Sequence, residues 1–276
     1  MIQVNDISYY SNSRGRGKAI LNGLSFSIRA GALTVLLGPN GAGKSTFLRL
    51  LSGERRPYKG TILWNGREVH SLAPGELALR RGVLTQQYSM SLPFTVEEVV
   101  MMGRYPHHGN GHSDKDGVIV LECLREMQAE HLAQRLFNTL SGGEQQRVQM
   151  ARVLAQLTGP VEWDSMLLLD EPTASMDWLH QQLCLRKARQ LAEKGMTVVV
   201  VLHDLNLAAQ FADFLLLMKN GRLLAMGTPS DLLEPGLIAS AYGIHSTVIY
   251  PEGCDHPVII PIPGPEIINQ KKYVHE

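Results

Sequence analysis

The residues best suited to chemistry begin at Gly38. Gly38-Pro39-Asn40-Gly41-Ala42-Gly43-Lys44-Ser45 fits G-x-x-x-x-G-K-[ST], a turn whose glycines let backbone N–H groups point inward around phosphate oxygens. A helix opening straight after it adds partial positive charge. Lys44 has the reach and charge for β- and γ-phosphates, the Ser45 hydroxyl suits Mg²⁺, and Thr46 faces an α-phosphate. Much later, the apolar run Met166-Leu167-Leu168-Leu169 ends in two carboxylates, Asp170 and Glu171. Asp170 suits Mg²⁺, directly or through water, and Glu171 suits the polarisation of an attacking water. Acids at strand ends are common, and it is the glycine turn upstream that gives this pair its meaning.

These groups need a frame. Leu33–Leu37 reads as a strand leading into the turn, and Lys44–Leu51 as a helix stopped at Gly53. Residues 2–9 and 24–28 read as strands around a polar, basic loop from Ser11 to Lys18; residues 61–64 and 82–85 read as two more. Between Val96 and about Leu140 the spacing turns helical, through Val96, Val99, Val100 and Met102 and then Val118, Leu121, Leu124 and Met127. An inserted helical subdomain is expected over about 88–150. Strands at 166–169 and 196–202 then alternate with helices Trp178–Glu193 and Leu205–Phe211, which predicts a parallel sheet covered on both faces. Residues 215–218 and 223–226 flank Asn220-Gly221 as a hairpin. A single domain over 1–261 is expected, with 262–276 a loosely ordered tail.

Bulk properties narrow the class. The 276 residues carry 26 Lys+Arg against 26 Asp+Glu, a balance that argues against a nucleic-acid partner. Cys123, Cys184 and Cys254 are widely spaced, as in a reduced compartment without a zinc site. No basic-then-apolar leader opens the sequence, and no apolar run approaches the roughly 20 residues of a membrane span. His107, His108 and His112 cluster in a glycine-rich loop and read as polar surface, not as a ligand set.

One more segment decides the class. In Leu140-Ser141-Gly142-Gly143-Glu144-Gln145-Gln146-Arg147, Ser141 and the two glycines cap a helix expected from Glu144 to about Leu157, forming a second anion site from exposed N–H groups and a hydroxyl. This octapeptide resembles the signature sequence of ATP-binding cassette proteins. The resemblance spans about residues 2–261 and implies an α/β fold, a P-loop NTPase (RecA-like) core with an antiparallel β subdomain. It implies ATP and Mg²⁺ as ligands, and a homodimer in which Ser141, Gly142 and Gly143 grip the γ-phosphate of ATP held by the other protomer. It assigns Gln86, with Gln87 as the adjacent alternative, to Mg²⁺ and the attacking water. Ser175-Met176-Asp177 matches the loop that contacts the other protomer, with Met where Leu is usual, and His203 matches the switch histidine on the γ-phosphate. The family's adenine-stacking aromatic has no clear match; Tyr9 and Tyr10 lie close, but the aligned position falls near Ser11.

The finer pattern is similar to the ATPases of importers for iron chelates, heme and cobalamin. It rests on Leu92-Pro93-Phe94-Thr95-Val96-Glu97-Glu98-Val99-Val100-Met101-Met102-Gly103-Arg104 and on Leu202-His203-Asp204-Leu205-Asn206-Leu207-Ala208-Ala209. Within that group, the segment after Leu154-Ala155-Gln156-Leu157, His180-Gln181, and His256-Pro257-Val258-Ile259-Ile260-Pro261 point to hemin, with ferric siderophore or cobalamin as alternatives. A soluble cassette ATPase, such as one for iron–sulfur assembly, is the non-transport alternative. The resemblance implies two transmembrane permease subunits, an indirect periplasmic substrate-binding protein, and a place on the cytoplasmic face of the inner membrane. Residues 87–104 are the expected dock for the permease.

Overall fold

The computed structural model describes residues 1–11, 17–85, 92–107, 114–159 and 164–263. A six-stranded sheet, ordered β10-β9-β3-β8-β7-β6, forms its centre. It comprises β3 (Leu33–Leu37), β6 (Arg81–Leu84), β7 (Met166–Asp170), β8 (Thr197–Val201), β9 (Phe214–Lys219) and β10 (Arg222–Gly227). The first five pair in parallel and β10 adds antiparallel at the edge. Every residue of β3, β7 and β8 is buried, which is why these strands are uninterrupted apolar runs.

Alternation along these strands divides the interior into two cores. Leu33, Val35, Leu167, Leu169, Val198 and Val200 join one core; Leu36, Leu168, Val199 and Val201 join the other. The second core lies between the central sheet, α1 (Lys44–Leu51) and a four-stranded antiparallel sheet of order β2-β1-β4-β5. That sheet is made of β1 (Ile2–Tyr10), β2 (Ala19–Ile28), β4 (Lys59–Trp64) and β5 (Arg67–Glu68). The first core takes in α3 (Val96–Met101), α4 (Asp114–Glu126), α5 (Gly142–Leu157), α6 (Trp178–Glu193) and α7 (Leu205–Phe211). Short α2 (Pro74–Arg80) precedes β6. After β10 come α8 (Pro229–Leu232), α9 (Pro235–Tyr242) and a separate two-stranded sheet of β11 (His245–Ile249) and β12 (Val258–Ile262).

Several expectations shift. β2 begins at Ala19, five residues before the expected start, because Asn22-Gly23 reads as a turn but is absorbed as an irregularity in the β1–β2 register, with Gly23 at φ 67° and Asp6 at φ 50°. Met102 leaves α3 for a 3₁₀ stretch, Met102–His107, containing Pro106. β12 runs through the proline-rich end to Ile262, since Pro261 sits on an exposed edge where its missing N–H costs no ladder bond. Most of the expected tail lies outside the described residues. Among the described residues no helix is long and apolar enough to cross a membrane.

Candidate active site

The glycine turn follows fully buried β3, and two of its glycines, Gly38 and Gly43, are sterically required. A Cβ on Gly38, at φ 144°, would stand 2.2 Å from the Met218 carbonyl oxygen; one on Gly43, at φ 98°, would stand 2.6 Å from Leu21 Cδ2. Gly43 is the N-cap of α1 and offers no side chain to the first helical amides, so these stay available to an anion. Lys44, only 6% exposed, donates from Nζ to the carbonyl oxygens of Gly38 at 2.7 Å and Pro39 at 3.2 Å. Burial lowers its pKa, and the charges of Glu171 and Asp170 oppose that.

Across the sheet, β7 ends on Asp170, 5% exposed and in register with Val201 of β8. The Ser45 hydroxyl donates to Asp170 Oδ1 at 3.2 Å. Burial pushes the Asp170 carboxyl upward, incompletely offset by Ser45, Arg49 and Lys44. A buried carboxylate short of compensating positive charge, beside a hydroxyl, is a hard-oxygen pair that suits Mg²⁺. Next to it, Glu171 has φ 53°, a left-handed backbone that costs a non-glycine residue about 1–3 kcal/mol and recurs at functional sites. Its N–H donates to the Val201 carbonyl oxygen at 3.2 Å. His203 Nε2 donates to Glu171 Oε1, joining the end of β8 to the end of β7.

The second anion site is built differently. Ser141 is the N-cap of α5, which begins at Gly142, two residues before the expected start, so both glycines lie in the first helical turn. Ser141 Oγ accepts from the Glu144 N–H at 3.4 Å, and Glu144 Oε2 accepts from the Ser141 N–H and hydroxyl, each at 2.8 Å. A Cβ on Gly143 would lie 2.7 Å from the Ser175 carbonyl oxygen, so this glycine lets the 175–177 loop close onto the helix start. An open cleft of about 580 Å³ results, walled by Ser141, Gly143, Arg147, Ser175, Asp177 and His180. Asp177 caps α6, accepting from the His180 N–H at 2.9 Å, and also bonds His180 Nδ1 at 2.7 Å; these bonds hold its carboxyl below the usual range. Met176, 7% exposed, fills core space, where Met replaces Leu at little change of volume.

Thus Gly38–Thr46, Asp170, Glu171 and His203 form one constellation; Ser141, Gly142, Gly143 and Asp177 form another. Gln86, Gln87, His108 and His112 lie outside the described residues. His107 is partly buried, its Nε2 2.7 Å from the Gln156 carbonyl oxygen, so it serves α5 rather than open surface. Tyr9 and Tyr10 are already engaged: the Tyr9 hydroxyl accepts from Arg55 at 2.8 Å, and Tyr10 packs edge-on to Tyr58. Within 87–104, Val96, Val99, Val100 and Arg104 are buried while Leu92 is exposed. One residue that the motif contains but whose role sequence alone did not assign is Gln146. Its Nε2 donates to the Glu171 carbonyl oxygen at 2.8 Å, and its Oε1 accepts from the Ser175 N–H at 3.2 Å. It joins the two constellations through the backbone.

The model of the family described as ABC transporter matches residues 21–174. The chain belongs to the ABC transporter family. The cassette is 42% identical to the hemin import ATP-binding protein HmuV of Rhizobium meliloti, over 95% of this chain and 98% of that one. It is 43% identical to HmuV of Pseudomonas aeruginosa, over 94% and 99%. Among solved structures it resembles a dimeric ATP-binding cassette in a post-hydrolysis state with ADP and Pi, at TM-score 0.72 and 26% identity, covering 83% of this chain and 99% of that one. An inward-facing metal-chelate type ABC transporter aligns at TM-score 0.76 and 25% identity, covering 95% and 97%. The α/β core with its antiparallel sheet and helical segment is the cassette ATPase fold.

Proposed function

We propose that the chain is the ATP-hydrolysing subunit of a hemin importer, working as a homodimer beneath two permease subunits on the cytoplasmic face of the inner membrane. The observation that carries the ATPase reading is the meeting of Lys44, Ser45, Asp170, Glu171 and His203 at the ends of β3, β7 and β8. The hemin reading rests on the HmuV relatives, matched over nearly the whole chain.

ATP lies with its phosphates in the 38–46 turn, against the free amides of α1. Lys44 exchanges the Gly38 and Pro39 carbonyl oxygens for β- and γ-phosphate oxygens. Ser45 and Asp170 would hold Mg²⁺, with Gln86 the further ligand the family resemblance implies; the ion would supply charge neutralisation on the phosphates. Glu171 polarises the attacking water, and His203, already bonded to its carboxylate, orients it and contacts the γ-phosphate. Ser141, Gly142 and Gly143 stabilise charge on the γ-phosphate of the partner protomer's ATP, and Asp177 carries the contact between protomers. The chemistry is positioning and charge stabilisation, with water as the nucleophile. A groove of about 590 Å³, walled by His70, Leu77, Arg81, Arg152 and Gln156, lies between α2 and α5 and would offer a permease a seat in addition to the expected dock at 87–104.

The test is ATP hydrolysis by the chain reconstituted with its permease in lipid. Binding protein loaded with heme, ferric siderophore or cobalamin is added in turn. Stimulation by heme alone is expected; stimulation by another cargo overturns hemin and keeps the ATPase.

A further inference from the structure

The cassette's C-terminal hairpin is hydrogen-bonded to the first turn of α7, just after His203, by the side chain of Asn206. β11 and β12 pair only with each other, outside the central sheet. The inner side of β12 is anchored by Ile259, 6% exposed and part of the larger core. Ile259 N–H donates to Asn206 Oδ1 at 2.7 Å, and Asn206 Nδ2 donates to the Ile259 carbonyl oxygen at 3.2 Å. The carboxamide therefore stands beside β12 as a third strand would, satisfying both backbone groups of one residue.

Asn206 sits in the first turn of α7, three residues after His203. Between them Asp204 caps the helix, Oδ1 accepting from the N–H groups of Asn206 at 2.7 Å and Leu207 at 3.1 Å. His203 itself is exposed just past the end of β8, and its imidazole bonds the Glu171 carboxylate. The backbone that carries His203 is thus fixed on one side by β8 and on the other by a first turn whose fastening to the rest of the protein includes Asn206. The same C-terminal unit is fastened to β9, which pairs with β3 next to the phosphate turn: Lys219, ending β9, donates to the Ser240 carbonyl oxygen in α9.

We propose that Asn206 is a positioning residue for hydrolysis: by gripping Ile259 of β12 it makes the C-terminal hairpin a brace that holds His203 on Glu171. This rests on the proposed roles of His203 and Glu171. Asn206 is largely exposed apart from this grip, so removing its amide opens no cavity and the variant should fold.

The experiment is a double-mutant cycle on the full-length chain, with kcat and KM for ATP measured for wild type, Asn206→Ala, His203→Ala and the double variant. Asn206→Ala is expected to lower kcat five- to tenfold with KM within twofold, and to lower it less than 1.5-fold further in the His203→Ala background. An equal loss in both backgrounds, a change in KM alone, or full activity of Asn206→Ala overturns the brace. Wild-type kcat in His203→Ala overturns instead the switch reading beneath it. Where His203→Ala turns over at background, amide hydrogen exchange of Asn206→Ala decides: faster exchange over 203–207 with unchanged exchange over 44–51 upholds the brace, and unchanged exchange over 203–207 overturns it.

Discussion

Helices α1 and α5 both begin beside glycines, yet α1 begins inside the molecule and α5 at its surface. At α1 the cap residue is a glycine with nothing to offer, the neighbouring lysine is buried, and three further reactive groups converge from two other strands. At α5 the cap is a serine already closed in a box with Glu144, in a cleft that no residue of 38–46 and neither Asp170 nor Glu171 lines. The first start has amides and strand-end carboxylates; the second has amides and a hydroxyl, and the acids beside it, Glu144 and Asp177, are engaged in capping α5 and α6. In the proposed mechanism the second start serves a nucleotide carried by another chain, so that one sequence would encode halves of two different sites.

The difference is broken most severely at Lys44. Lys44→Ala removes a buried charge directed at phosphates, and charge-assisted bonds of this kind carry about 3 kcal/mol. ATP affinity in a fluorescent-nucleotide titration should fall at least ~100-fold, and turnover should vanish with it. Unchanged affinity would mean that α1 is not the nucleotide-bearing start. Glu171→Gln acts on chemistry alone: ATP binding should persist while turnover drops on the order of 10²–10³, the usual worth of a positioned base. Light scattering after gel filtration should then find ATP-bound dimer, and a monomer under saturating ATP would speak against the role.

Gly143→Ala probes the other start. The added Cβ would meet the Ser175 carbonyl oxygen at 2.7 Å, a backbone atom that yields only if the 175–177 loop shifts. Binding by the single chain should stay within about twofold, while dimer turnover falls about tenfold, equivalent to ~1.4 kcal/mol at the barrier. If the isolated chain lost ATP affinity in the same proportion, the two starts would not be separate half-sites.

What the sequence made legible follows the same division. The 38–46 turn and the 140–147 octapeptide are each contiguous in sequence, so their chemistry shows in order and spacing alone. The central strands were legible because burial on both faces demands continuous apolar runs. Glu171's left-handed backbone and the grips of Gln146 and Asn206 depend on which segments meet in space, and no local pattern encodes that. The early start of β2 was hidden by Asn22-Gly23, whose turn chemistry a strand irregularity also uses. The hairpin β11–β12 was hidden by prolines that suit an exposed edge as well as a loop.

The smallest expected effect lies where the two constellations touch. Gln146 bonds the Glu171 carbonyl oxygen with one end of its amide and the Ser175 N–H with the other, so it couples the strained base to the loop beside the second start. Gln146→Ala removes both bonds, costing about 1 kcal/mol of folding stability. It frees the Glu171 backbone to relax from φ 53°, and turnover should fall about fivefold, roughly 1 kcal/mol. Gln146→Glu separates the two ends. It keeps an acceptor for Ser175 but sets a carboxylate against the Glu171 carbonyl oxygen, so turnover should drop below that of the alanine variant. Wild-type turnover in Gln146→Glu would place the coupling in the Ser175 bond alone, and Glu171 would then owe its geometry to its own N–H bond to Val201 of β8.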